Sequence, residues 1–213
     1  MEQEKRLNGS GYNLQLIGLY SPYSQAGKSE AAKFLHGGWR GYQVLSFATP
    51  IREMLAGMFN TINGHEFGDK ILDASFYKEV KDTNELTKEL GLDCRLRDLM
   101  ISLGEGLKSV DSDIWVKVMK KRIEYIIAEN LTKPRIRIVI DDLRFPNEMD
   151  FIKSVGGYCG KIINPFRPVV KAASEGLLGD REFDFIVEND KSKNIGIFFN
   201  NLDLAMIELG LYK

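Results

Sequence analysis

The stretch 14–35, LQLIGLYSPYSQAGKSEAAKFL, constrains the fold of this chain more than any other part of the sequence. Residues 14–20 form a short apolar run with the length of a buried strand, and residues 21–27 are small and turn-forming. Residues 28–35 carry apolar side chains at helical spacing. A strand, a tight loop that ends in Gly-Lys-Ser and a helix are typical of a phosphate-binding loop.

Each residue type in this loop suits contact with a nucleotide phosphate. The loop N–H groups and the helix N-terminus favour an anion, and Gly27 lets the backbone approach it closely. Lys28 would place its charge on the β- and γ-phosphates, and the Ser29 hydroxyl would bind a Mg²⁺ ion that bridges them. The residues predicted to contact the phosphates here are Ser24, Gln25, Ala26, Gly27, Lys28 and Ser29.

The start of the loop departs from the full pattern G-x-x-x-x-G-K-[ST], because Pro22 stands where the first glycine belongs. Proline fixes φ near −65° and has no N–H to donate. Either the chain enters the loop differently or Ser21 makes the turn. The alternative to a phosphate-binding loop is an ordinary strand-to-helix turn that contains Gly-Lys-Ser.

Composition narrows the class of protein further. The 213 residues are 44% hydrophobic, which suits one globular domain with a possible inserted lobe. The sequence has 29 Lys and Arg and 30 Asp and Glu, so its net charge is −1. This charge predicts neither a nucleic-acid nor a membrane partner. Cys94 and Cys159 form no disulfide framework or metal motif, and are interpreted as free thiols in a reducing cytoplasm. No signal peptide and no membrane-spanning run are found.

Hydrophobic patterning predicts an α/β fold. Strands are predicted over 14–20, 42–48, 135–140, 158–163 and 183–187. Helices are predicted over 28–35, from 49 onward with Thr49 as the N-cap, and over 96–107, 114–127, 146–155 and 195–209. This alternation predicts a parallel sheet covered on both faces, with ligands at the carboxyl ends of its strands. The polar, weakly periodic stretch 60–91 is interpreted as a mobile lobe or a long excursion from the core.

A second motif, DDLRFPNE at 141–148, directly follows the apolar strand 135–140. A carboxylate at this position would hold Mg²⁺, and Asp142 is the predicted residue with Asp141 as the alternative. Arg144 could bind a phosphate with two parallel hydrogen bonds. In the competing interpretation, an aspartate caps the next helix and Arg144 makes a surface ion pair.

Four sequence blocks in order resemble the bacteriophage-type deoxynucleoside monophosphate kinases, a branch of the P-loop nucleotide kinases. The blocks are SQAGKSEAA, SFATPIREML, LRDLMISLGEGLKSVDSDIWV and VIDDLRFPNEMDFI, followed by FRP and DFIVEND. They cover most of the chain except 60–94. The chain departs from the family at Pro22, at Ser29, where many members have Asp, and at Thr49, where Asp is common.

The resemblance implies a single P-loop kinase domain over 1–213. Its fold would be the P-loop NTPase three-layer sandwich, with a five-stranded parallel sheet flanked by helices. An inserted lobe that binds the nucleoside monophosphate (NMP) would span about 50–130, and a small lid about 164–182. The implied reaction moves the ATP γ-phosphoryl group to a deoxynucleoside monophosphate (dNMP), with ATP and Mg²⁺ as cofactors. A phage-encoded chain would act in the host cytoplasm, and a homodimer is left open.

The resemblance and the charges together assign roles to particular residues. The catalytic residues would be Lys28, Asp142, Arg144 and Arg167, and Ser29 and Asp142 would hold the metal. Arg167 and Lys171, in the lid with Arg181, would contact the ATP phosphates. The residues that would hold the dNMP are Arg52, Arg97, Arg144 and Trp115. The alternatives are a solvated surface for the cations and core packing for Trp115.

Two other functions fit the same sequence. One is a different small-molecule kinase of this fold, of the dephospho-coenzyme A or phosphomevalonate kinase type. The other is an ATP-binding module without catalytic activity. The cations of the predicted lid and the RFPNE motif favour an enzyme, and the block around Trp115 favours a dNMP as acceptor.

Overall fold

The computed structural model describes residues 13–23, 25–63, 65–166, 177–179, 181–190 and 192–212. The chain divides into two compact units. The first unit comprises Met1–Ser46 and Lys120–Lys213, and the second comprises Phe47–Met119. The second unit overlaps most of the range of about 50–130 predicted for an inserted lobe, and its role in binding an NMP stays a prediction.

The first unit is built on one five-stranded parallel sheet. Its strands are β1 (Asn13–Tyr20), β2 (Gln43–Leu45), β3 (Arg135–Ile140), β4 (Tyr158–Ile163) and β5 (Phe185–Glu188). The strand order is β2-β3-β1-β4-β5, and every described pairing is parallel. All five carboxyl ends therefore lie at one edge of the sheet, with β1 at its centre.

The described helices alternate with these strands, except in the second unit, where they follow one another. In chain order they are α1 (Lys28–His36), α2 (Thr49–Asn63), α3 (His65–Leu72), α4 (Ala74–Val80), α5 (Glu85–Glu89), α6 (Leu96–Lys108), α7 (Ile114–Glu129), α8 (Pro146–Ser154) and α9 (Ile195–Glu208). None of the helices in the described ranges is both long and apolar enough to cross a membrane.

Helices cover both faces of the sheet in the first unit. On one face, α1 and α9 pack together, with the rings of Phe34 and Phe199 stacked 4.3 Å apart between their centroids. Gly18 of β1 points to the other face, because neighbouring residues of a strand alternate. There the space of its missing Cβ is filled by Ile152 of α8. This arrangement of helix, sheet and helix confirms the predicted α/β fold of three layers.

The second unit has a helical core of its own. Buried apolar side chains from its helices meet there, namely Leu55, Phe59, Ile71, Leu86 and Leu96. The stretch 60–91, for which the sequence predicts no regular element, contains α3, α4 and α5. These helices are 8, 7 and 5 residues long, too short to produce a clear periodicity in the sequence.

Several element boundaries differ from the sequence prediction. β2 is confined to Gln43–Leu45 rather than 42–48, and β5 starts at Phe185 rather than at 183. α2 begins at Thr49 itself, whose hydroxyl accepts a hydrogen bond from the Arg52 side chain at 3.2 Å. β3 and β4 have the predicted boundaries.

Candidate phosphate-binding site

The loop between β1 and α1 ends in a left-handed glycine. Gly27 has φ 111° and ψ 12°, a conformation that costs a residue with a Cβ atom considerably more than glycine. Its carbonyl accepts the first helical hydrogen bond, from the Ala31 N–H at 2.9 Å. The helix N-terminus and the Lys28 side chain thus directly follow the tight turn, which is the geometry that favours an anion.

Ser21 makes the turn at the start of this loop. Its hydroxyl accepts a hydrogen bond from the Tyr23 N–H at 3.1 Å across Pro22, and Ser21 and Pro22 are both buried. A side-chain oxygen that bonds to the backbone two residues later replaces a backbone turn. The chain therefore needs no glycine at position 22. Of the two alternatives that the sequence left open, the one in which Ser21 makes the turn is correct.

Asn189 contacts the same loop from the carboxyl end of β5. Its side-chain Nδ2 donates to the Ala26 carbonyl at 2.8 Å, and its own N–H donates to the Ile163 carbonyl at 2.7 Å. Asn189 is 3% exposed. Sequence reasoning gave this residue no role, although it lies in the DFIVEND block, because a contact across 163 residues leaves no local signal.

Asp142 lies at the end of β3, beside the central strand. Ile140 aligns with Gly18 of β1, so Asp142 lies about level with the end of β1, where the phosphate loop begins. The Ser46 hydroxyl, just beyond β2, donates to Asp142 Oδ2 at 2.5 Å. Asp141 continues the ladder instead, with its N–H donating to the Leu45 carbonyl at 3.2 Å. The hydrogen bond from the Ser46 hydroxyl fixes the orientation of the Asp142 carboxylate.

Glu148 caps α8. Its Oε2 accepts hydrogen bonds from the Arg144 N–H at 2.8 Å and the Phe145 N–H at 3.0 Å. Burial of the carboxyl group, at 4% exposure, and then the charge of Asp142 raise the pKa of Glu148 to about 8. Glu148 thus fixes the backbone that presents the exposed Arg144 side chain.

The predicted dNMP-binding residues of the second unit differ in their surroundings. Arg52 lies over the Tyr77 ring at 5.6 Å, and Arg97 pairs with Asp82 at 3.2 Å while 46% exposed. Trp115 is buried, and its indole N–H donates to the Gly104 carbonyl at 3.2 Å. The contacts of Trp115 favour core packing. The Arg52 side chain is partly buried, and the Arg97 side chain is exposed.

Three predicted site residues, Ser24, Arg167 and Lys171, lie outside the described residues, as does most of the predicted lid. Arg181, at the end of that segment, is described and pairs with Asp150 at 2.6 Å on the surface.

The oxygen ligands predicted for Mg²⁺ are the Ser29 hydroxyl and the Asp142 carboxylate. Among the described residues, no group of three or more His, Cys, Asp and Glu could hold a metal ion. A serine hydroxyl and an aspartate carboxylate are oxygen donors of the type that Mg²⁺ takes together with waters and substrate phosphates.

Comparison with known proteins gives a distant relative and a similar structure. No family model matches the chain. The relative, from Acanthamoeba polyphaga mimivirus, is named "Putative deoxynucleotide monophosphate kinase" and is 29% identical over 186 residues, 83% of this chain and 89% of that protein. Dephospho-CoA kinase from Campylobacter jejuni matches with a TM-score of 0.45 at 14% identity, over 92% of this chain and 97% of the other. The sequence resemblance described above is confirmed by the viral relative.

Proposed function

We propose that this protein is a P-loop kinase that transfers the ATP γ-phosphoryl group to a deoxynucleoside monophosphate, giving the diphosphate. The observation that carries the proposal is the left-handed Gly27 directly before Lys28 at the start of α1, with Asp142 at the end of the neighbouring strand. The viral relative supports the choice of acceptor through its name.

The phosphate loop would bind the ATP donor. N–H groups from Gln25 to Ser29 and the N-terminus of α1 favour the β- and γ-phosphates, and Ser24 belongs to the same proposed contact. Lys28 would neutralise charge on the transferring group. Because phosphoryl transfer needs positioning and neutralisation more than covalent catalysis, these contacts account for most of what the loop must do.

Ser29 and Asp142 would hold Mg²⁺ together with the nucleotide phosphates. When bound, the ion would neutralise phosphate charge and fix the orientation of the β- and γ-groups. The hydrogen bond from Ser46 holds Asp142 in one orientation before any ligand binds. This residue's role would thus be to bind and orient, with no proton transfer.

Arginines would hold the acceptor phosphate. The dNMP phosphate carries nearly two negative charges and must approach the anionic γ-phosphate, so cations between them are needed to offset repulsion. The net charge of −1 provides no general attraction. Arg144, Arg52 and Arg97 are the proposed ligands of the acceptor phosphate. Arg167 and Lys171 are proposed to contact the ATP phosphates.

An assay of ADP release tests this function across acceptors. The panel contains each dNMP, the matching ribonucleotides, dephospho-coenzyme A and phosphomevalonate, with an ATP-only reaction as the control for hydrolysis. The proposal predicts acceptor-dependent release with at least one dNMP and a higher kcat/KM for it than for its ribonucleotide. Release that depends on dephospho-coenzyme A or phosphomevalonate alone would assign the other kinase type, and no acceptor dependence would refute both kinase types.

A further inference from the structure

We infer that Asn189 is a positioning residue that sets the orientation of the phosphate loop, and that Gly27 is needed partly to make room for it. The inference rests on the proposed function, since it concerns the ATP side of the same site. Neither residue reacts in this account. Asn189 acts through the Ala26–Gly27 peptide group, which it holds in one of two possible orientations.

The Asn189 side chain is itself held firmly. Its N–H donates to the Ile163 carbonyl at 2.7 Å, which extends the pairing of β4 with β5 by one residue. The side chain is 3% exposed, and its Nδ2 donates to the Ala26 carbonyl at 2.8 Å. A buried amide anchored to a sheet has little freedom, so the Ala26 carbonyl is fixed with it.

The direction of the Ala26 carbonyl determines where the next N–H points. The described chain has no cis peptide bonds, and in a planar trans peptide the C=O and the following N–H point in opposite directions. With the Ala26 carbonyl directed at Asn189, the Gly27 N–H is directed away from it. No described residue accepts a hydrogen bond from this N–H, so it is available to an anion in the loop.

Without Asn189 the peptide group could rotate. Glycine populates positive and negative φ about equally, so a flip of the Ala26–Gly27 peptide meets little steric resistance at Gly27 itself. A flipped peptide would direct a carbonyl oxygen, instead of an N–H, toward the phosphates. The side-chain hydrogen bond from Asn189 is the described contact that opposes this flip.

Gly27 and Asn189 also fit each other sterically. A Cβ atom on Gly27 would lie 2.2 Å from Asn189 Nδ2, too close for any real contact. Gly27→Ala therefore meets two obstacles, the positive φ and the Asn189 amide. Removing the Asn189 side chain relieves the second obstacle and leaves the first, so the two substitutions are expected to be non-additive.

The test compares four single variants and one double variant of the 213-residue chain. Asn189→Asp keeps the size of the side chain and loses the N–H donor, and Asn189→Ala removes the contact without adding charge. Asn130→Ala is the matched control, because Asn130 Nδ2 also donates to a backbone carbonyl at 2.8 Å, that of Ile126 in α7. Calorimetry with Mg·ATP gives the affinity, thermal unfolding gives stability, and steady-state kinetics give KM for ATP and for the dNMP.

Both Asn189 variants are expected to bind Mg·ATP about tenfold or more weakly, as is usual when a group that orients a ligand is lost. KM for the dNMP should stay unchanged, every variant should still unfold cooperatively, and Asn130→Ala should bind Mg·ATP as the wild type does. The Gly27→Ala defect in ATP affinity should shrink in the Gly27→Ala/Asn189→Ala double variant. Strictly additive defects would contradict the steric part of the inference.

The outcomes separate this inference from the proposed function. If the wild-type chain phosphorylates dNMPs and both Asn189 variants bind Mg·ATP with wild-type affinity, only the positioning role of Asn189 is overturned. A wild-type chain that binds Mg·ATP but phosphorylates no dNMP would overturn the proposed function, while the Asn189 comparison would still be decided by calorimetry. A wild-type chain that binds no Mg·ATP would overturn both.

Discussion

Ser46 and Asp142 are joined by a hydrogen bond of 2.5 Å that connects the ends of two neighbouring parallel strands. The serine follows β2 and the aspartate follows β3, so the contact is a direct result of the register in which Leu45 aligns with Ile140. A carboxylate held in this way is preorganised for a ligand at the adjacent end of β1. The hydrogen bond thus links sheet topology to the proposed metal site.

Asp142→Asn should slow turnover and raise the Mg²⁺ concentration needed for half-maximal activity about 10- to 100-fold, because an amide is a poorer Mg²⁺ ligand. Activity measured across a Mg²⁺ titration checks this. Asp141→Asn is the matched control, since Asp141 extends the β2–β3 pairing instead. If only Asp141→Asn shifts the Mg²⁺ requirement, the roles of the two aspartates are exchanged. If neither does, the metal binds elsewhere.

Glu148 should make stability fall as pH rises. Its pKa is raised in the folded protein from an ordinary 4.5 to about 8, so the native state holds a proton that the unfolded chain releases. The stabilisation from the Glu148 carboxyl group is complete below pH 4.5 and is lost as pH rises toward 8, at about 1.4 kcal/mol per pH unit at most. Glu148→Gln keeps an acceptor for both N–H groups and should lose this dependence.

Urea unfolding at a series of pH values, in EDTA, measures the effect. Between pH 5 and pH 8, the unfolding free energy of the wild type should fall relative to that of Glu148→Gln. A constant difference across this range would show that the burial of Glu148 does not raise its pKa.

The sequence predicted the parallel sheet well for a physical reason. β3 and β4 were predicted to the residue, because β-branched apolar residues recur in each and turn-forming or acidic residues stand directly before and after them. The phosphate loop was also predictable, because its parts are contiguous. α3, α4 and α5 were missed, since helices of so few residues complete no more than about two turns. The contacts of Asn189 and Ser46 were missed, because each joins residues that are far apart in the chain.

Trp115→Phe distinguishes core packing from stacking on a base. The substitution removes the hydrogen bond from the indole N–H to the Gly104 carbonyl and shrinks a buried side chain. We expect a loss of about 1–3 kcal/mol in unfolding free energy with KM for the dNMP unchanged. Denaturant unfolding and steady-state kinetics of the same variant give both quantities. A raised KM with unchanged stability would instead support a base-binding role.

Arg144→Lys tests whether the acceptor phosphate is bound by two parallel hydrogen bonds. Lysine keeps the charge and loses the planar fork, so kcat/KM for the dNMP should fall about tenfold or more. Arg135→Lys, at the opposite end of β3, is the matched control. Wild-type kcat/KM in Arg144→Lys would remove this arginine from the site, and a defect only in Arg97→Ala would move acceptor binding to the second unit.

Transfer of labelled phosphate from [γ-³²P]ATP to a dNMP measures the proposed reaction itself. We expect labelled dNDP with the wild-type chain and with Lys33→Ala, a change at an exposed lysine of α1. We expect a rate lower by about 10²- to 10³-fold with Lys28→Ala, the loss typical of one charge-stabilising group, and an unchanged unfolding temperature. No labelled dNDP with any dNMP, or equal rates for Lys28→Ala and wild type, would contradict the proposed function.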